Sequence, residues 1–104
     1  MRNNNKIYLV SEIQCYCDDT MQKRFKAFSN IEEALEYKEQ LVSLWDHELC
    51  DYYDCTRNEL KDYIEVIRDY ELEWSFLSSD CAQEVSIEVT AVELVQDNAV
   101  EARH

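Results

Sequence analysis

Thr56-Arg57-Asn58-Glu59-Leu60-Lys61-Asp62-Tyr63-Ile64-Glu65-Val66-Ile67-Arg68-Asp69-Tyr70-Glu71-Leu72-Glu73-Trp74-Ser75-Phe76 is the stretch on which the fold turns. Its opening, Thr56-x-x-Glu59, is a capping box, in which each side chain satisfies the other residue's unpaired backbone N–H. A helix is expected to follow, with Leu60, Tyr63, Ile64 and Ile67 as a buried stripe near a 3.6-residue period. Around Tyr70 the period falls to two. Leu72, Trp74 and Phe76 alternate with Glu71, Glu73 and Ser75, the pattern of a half-buried strand.

On the C-terminal side, Ser78-Ser79-Asp80 reads as a turn, and Val85, Ile87, Val89 and Ala91 then alternate with Ser86, Glu88 and Thr90 to complete a hairpin. On the N-terminal side, a second capping box, Ser29-Asn30-Ile31-Glu32, opens a helix with apolar positions Ile31, Ala34, Leu35, Leu41, Val42, Trp45 and Leu49. That helix is expected to end near Cys50 or slightly beyond. Ahead of it, Lys6–Ile13 and Met21–Phe28 alternate as strands joined through a loop over residues 15–20. The first carries Ile7 and Leu9 on one face and Tyr8 and Val10 on the other, so it is expected in the middle of a sheet. The order is ββ-αα-ββ. The expected fold is α+β, a four-stranded, largely antiparallel sheet with two helices on one face.

The 104 residues fit one domain, 1–104, with a core over 6–95 and a patternless, frayed tail over 96–104. A hydrophobic content of 46% argues for a packed interior despite the charge. No apolar run approaches the roughly 20 residues a membrane span needs, and residues 1–6 lead into a strand pattern without a signal-peptide core. A cytoplasmic location is the expectation. Five cysteines, an odd number without an export signal, read as reduced thiols filling small apolar spaces.

Neither glycine nor proline occurs. Phosphate-cradling loops, dinucleotide fingerprints and nucleophile elbows all need glycine at backbone positions other residues cannot adopt, so each is excluded. His47, Cys50 and Cys55, with Cys15 and Cys17, contain metal-ligand chemistry, but Cys-x-Cys and Cys-x4-Cys are not the usual zinc knuckles. A Cys50–His47 dyad would sit on one helix with no oxyanion hole in view. No enzyme activity, cofactor or metal is expected.

Charge is the main signal. The chain carries 23 acidic and 10 basic residues, a net charge of −13. Residues 1–26 hold three acids against five bases, whereas residues 27–102 hold 20 acids against four. A field of this sign repels phosphate backbones and anionic membranes and attracts basic proteins. Solubility needs a magnitude of only about 2 to 8 in a small domain, so the surplus calls for another explanation. Glu32, Glu36, Glu39 and Asp46 fall on nearly one line of the first helix, at rises of roughly 4.5 to 10 Å, comparable to phosphate spacing. Asp51, Tyr52, Tyr53 and Asp54 combine an aromatic anchor with flanking carboxylates, and Glu71, Glu73, Glu84 and Glu88 add acids from the last hairpin. The plainer reading of the helix row is a solvated face with few compensating lysines, and Glu59, Asp62, Glu65 and Asp69 interleave with Arg57, Lys61 and Arg68 like an ordinary salt-bridged surface.

These features point to a small intracellular inhibitor or adaptor that docks carboxylates on the basic, nucleic-acid-binding site of a partner protein. In size, acidity and lack of motifs the chain is similar to phage-encoded anti-restriction and anti-CRISPR inhibitors. The alternative is a structural or regulatory module that self-associates through a sheet edge or aromatic patch, its charge serving only solubility; a tight, salt-insensitive homodimer would support that alternative.

Overall fold

The computed structural model describes residues 6–16, 20–79 and 83–93. The tail expected over 96–104 lies outside them, as does most of the Ser78–Asp80 turn region beyond Ser79. The elements are β1 (Lys6–Tyr16), β2 (Met21–Phe28), α1 (Ile31–Tyr53), a 3-10 helix (Arg57–Asp62), β3 (Ile64–Tyr70), β4 (Glu73–Ser78) and β5 (Gln83–Glu93). One sheet holds all five strands in the order β2-β1-β5-β4-β3, every neighbouring pair antiparallel. The fold is α+β around one antiparallel sheet and one main helix. Among the described residues it has five strands and one α-helix, where four strands and two helices were expected.

The difference lies in residues 56–70. The capping box is real: the Thr56 N–H donates to Glu59 Oε1 at 2.9 Å, and the Glu59 N–H donates to Thr56 Oγ1 at 3.3 Å. It opens only six residues of 3-10 helix, closed when the Tyr63 N–H bonds the Leu60 carbonyl at 2.9 Å. From Ile64 the chain is extended, because Ile64, Val66 and Ile67 are β-branched residues that pack well on a pleated surface. The strand was hidden by a bulge. Register slips between Val66 and Arg68, so a period of two is interrupted and Ile64 and Ile67 mimic helical spacing.

The first capping box also shifts. Asn30, not Ser29, is the N-cap, and its side chain accepts from the Glu33 N–H at 2.8 Å. Ile31 is therefore the first helical residue. Leu72 stands in the β3–β4 turn instead of a strand, and Cys15 and Tyr16 extend β1 instead of starting a loop.

β1 lies inside the sheet, as its two apolar faces predict, between β2 and β5. Val10 of β1, Val85, Ile87 and Val89 of β5, and Trp74 and Phe76 of β4 form the floor of the core. Ile64 of β3 extends this floor, and Ala34, Leu41 and Leu49 of α1, with Leu60 of the 3-10 helix, cover it. Two charged side chains share this interior. Lys38, 2% exposed, extends under α1 and donates from Nζ to the Tyr70 carbonyl at 2.9 Å and to Glu39 Oε2 at 3.3 Å. Glu12, 4% exposed, accepts from Trp45 Nε1 at 2.6 Å and pairs with Arg24 at 3.0 Å.

α1 ends at Asp54, which adopts the left-handed conformation at φ 54°, ψ 53°. This is the usual glycine position of a helix terminus, filled here in a chain without glycine. Asp54→Gly is expected to raise stability by about 0.5 kcal/mol through relief of the Cβ penalty. Urea titration of both proteins checks the sign; a lower midpoint for the glycine variant would contradict it.

Candidate partner-binding surface

On α1 the buried line runs through Ala34, Lys38, Leu41 and Leu49. At about 100° per residue, Asp46 and Glu39 lie about 100° to 120° round from that line, on the side of β3, while Glu32 at about 140° and Glu36 at about 180° belong to the outer face of the helix. The short 3-10 helix and β3 return along this flank, and an open groove of about 850 Å³ lies between them and α1. Glu39, Val42 and Asp46 form its helical wall, Glu65 and Asp69 stand on the strand side, and Leu60, Ile64 and Trp74 give it an apolar floor. Arg57 and Lys61 close one end. Glu65 and Asp69 are additions to the sequence-derived set. Placed on a helix they looked compensated; on the β3 edge Asp69, paired with Trp74, faces the carboxylates of α1, whereas Glu65, paired with Leu77, points to the other sheet face and borders the groove at its edge. The β-branched cluster Ile64-Val66-Ile67 was the signal that could have found them.

Asp46 is the most enclosed member of the row, 18% exposed, and pairs with Arg57 at 3.0 Å. Burial raises its pKa from the ordinary 3.8; Arg57 opposes this shift and the nearby Asp69 adds to it. With the folded-state pKa above the unfolded one, the folded protein holds this proton more tightly. Stability from this group is therefore greatest below about pH 3.8 and falls as pH rises through the raised value. Asp46→Asn should remove that decline. Urea midpoints of both proteins across the acid range would show the gap between them changing in the variant's favour with rising pH; a constant gap would refute it.

The twelve sequence-derived residues fall in three places. Glu39 and Asp46 share the groove side of α1, Glu32 and Glu36 stand on its outer face, and Lys38's bond to the Tyr70 carbonyl brings the turn carrying Glu71 beside the helix. Glu39 is partly neutralised there by the Lys38 ammonium.

Asp51, Tyr52, Tyr53 and Asp54 lie at the far end of α1. Tyr53 stacks on Tyr63 with centroids 4.6 Å apart, while Tyr52 packs edge-on against Tyr53 at 4.9 Å and is 80% exposed. Tyr52 borders Gln14, Tyr16 and Gln83, on the other side of the helix end from the groove. Asp51 approaches His47 at 3.7 Å.

Glu73, Glu84 and Glu88 project from the sheet face opposite α1, since they alternate with the buried Trp74, Val85, Ile87 and Val89. Glu73 and Glu88 are direct cross-strand partners, and Arg68 approaches Glu73 at 3.6 Å. The structure does not bring this group together with the helix row.

The basic residues are divided between the two sides of the molecule: Arg57, Lys61 and Arg68 stand with the 3-10 helix and β3, and Lys23, Arg24 and Lys26 on β2. Arg24 bonds Glu12, and Lys26 sits over the Tyr37 ring, 4.9 Å from its centroid. Both belong to β2, the sheet edge opposite β3. Among the described residues, no group of three or more His, Cys, Asp or Glu side chains is placed to hold a metal ion, and no helix is long and apolar enough to cross a membrane. Compared with known proteins, the chain matches no family model, no curated protein and no solved structure.

Proposed function

We propose that the protein is a binding module without catalytic activity, and that it docks the α1–β3 flank on a basic surface of a partner protein. The observation that carries this reading is the meeting of carboxylates across one groove: Glu39 and Asp46 on the helix, and Asp69 on the strand, near enough to Asp46 to raise its pKa. Glu32 and Glu36 add negative charge on the outer face of the same helix. A packed helix and a hydrogen-bonded strand hold these charges in a fixed array, so little side-chain ordering remains to be done on binding. The array suits a cationic cleft built for phosphates, with long-range attraction raising the encounter rate. In its sharpest form the protein occupies a nucleic-acid-binding site and inhibits its owner, as anti-restriction and anti-CRISPR inhibitors do. Affinity capture from host lysate, eluted with a salt gradient, tests the proposal. A basic protein should be retained at low salt and released as salt rises, because the contacts are between exposed charges. Retention of proteins irrespective of their charge would count against it.

A second reading rests on a different surface. The sheet face opposite α1 carries Leu9, Ile13, Leu77 and Phe25, the last 57% exposed, and among the described residues no helix packs on it. Self-association through that face predicts a homodimer insensitive to salt, which sedimentation at two ionic strengths would separate from the leading proposal.

A further inference from the structure

The end of α1 brings two thiols together in a way their spacing in the sequence does not announce. With Asp54 left-handed, its N–H bonds the Asp51 carbonyl at 3.3 Å, and the Cys55 N–H bonds the Cys50 carbonyl at 3.0 Å. This double bond pattern folds the first residue beyond the helix back onto its last turn, and an apolar pair usually fills the contact it creates. Here both members of the pair are cysteine. Their thiols are hydrogen-bonded to each other, and both residues are free and partly exposed. Cys50 also borders a small hollow of about 230 Å³ with Ser43, Asp46, His47 and Arg57, which gives a small reagent access from the solvent side.

We propose that Cys50 and Cys55 are a site of reversible oxidation, forming an intramolecular disulfide that clasps the end of α1 to the start of the 3-10 helix. The bond from the Cys55 N–H to the Cys50 carbonyl holds the two backbones side by side, the arrangement from which rotation of the side chains can bring sulfur to sulfur. Burial, Cys50, Glu59 and Asp54 hold the Cys55 thiol above its ordinary range. Thiolate formation at Cys55 is therefore disfavoured, and the first oxidation falls on Cys50. With a peroxide as oxidant, the Cys50 thiolate takes one peroxide oxygen to become a sulfenic acid, and the other oxygen leaves as water after protonation. The Cys55 sulfur then attacks the sulfenic sulfur, the S–S bond forms, the Cys55 proton is lost and the displaced hydroxide leaves as a second water. Two thiols are oxidised and one peroxide is reduced to two waters. A dithiol reductant reverses the change. The proposal is independent of the partner-binding reading, because it concerns only this chain's own sulfurs.

The test is oxidation of the full chain with hydrogen peroxide, followed by alkylation of remaining thiols, intact mass and peptide mapping. The expected result is a loss of about 2 Da from linking two thiols, mapped to Cys50 and Cys55 and reversed by dithiothreitol. Cys50→Ser should abolish the linkage, whereas a variant with Cys15, Cys17 and Cys81 replaced by serine should retain it. Peptide mapping of the unaltered protein needs no variant to fold. Cys50 and Cys55 remaining alkylated while oxidation maps to other cysteines, or linkage appearing only between chains, would overturn the proposal.

Discussion

Glu12→Ala should lower stability by about 2–3 kcal/mol, because the indole N–H of Trp45 then loses a hydrogen bond to a charged acceptor. For a domain of this size the melting temperature should fall by about 10 °C or more. Glu12 stands at 4% exposure on the inner face of β1, and it ties α1 to the sheet through Trp45 and β2 to β1 through Arg24. The two contacts are unequal. Arg24 is 72% exposed, so its pair with Glu12 is screened on one side, and Arg24→Ala should cost less than about 1 kcal/mol. Glu12→Gln keeps an acceptor for the indole and should recover much of the loss. Thermal unfolding followed by tryptophan fluorescence would rank the three. If the alanine variant melted within a degree of the parent, the buried glutamate would have no structural role.

Affinity for a basic partner should drop at least about 100-fold when Glu32 and Glu36 become lysine and Glu39 becomes glutamine. That is a loss of roughly 3 kcal/mol, in line with removing three charge contacts and adding two repulsive ones. Glutamine is the safer choice at position 39, because lysine there would set a second ammonium against the buried Lys38. Glu32 lies in the first turn of α1, where a carboxylate complements the helix dipole, so its reversal should cost about 0.3–1 kcal/mol of stability. Circular dichroism would confirm that the fold survives. The dependence of affinity on salt should also flatten, since fewer charges take part. Unchanged binding by the folded variant would remove α1 from the interface.

Much of this architecture is readable from residue order. The extent of α1, the central place of β1 and the alternation of Trp74 and Phe76 with Glu73 and Ser75 all follow from apolar period. β3 does not, because Ile67 sits at a slip in pairing and breaks the alternation that would reveal a strand. A cap was read correctly at Thr56, yet a cap states where a turn begins and not how far it runs. The carboxylate row on α1 was visible because one helix carries it. Its opposite wall was not, since Glu65 and Asp69 acquire their positions only when β3 pairs with β4. The split between the helix flank and the far sheet face was hidden for the same reason: charges close in sequence, such as Asp69 and Glu73, end on different sides of a strand pair.

The slip at Val66–Arg68 has a further effect, at the level of the population of molecules and not of one chain. An outermost strand with a regular row of unpaired amides and carbonyls is a template onto which another copy can crystallise its own strand. Ile64–Tyr70 has the apolar content for such growth, but the extra residue throws that row out of step. At the opposite margin Lys23, Arg24 and Lys26 repel a like neighbour. Deleting Ile67 would restore an even ladder, and the mutant chain should then be the one that forms fibres on storage.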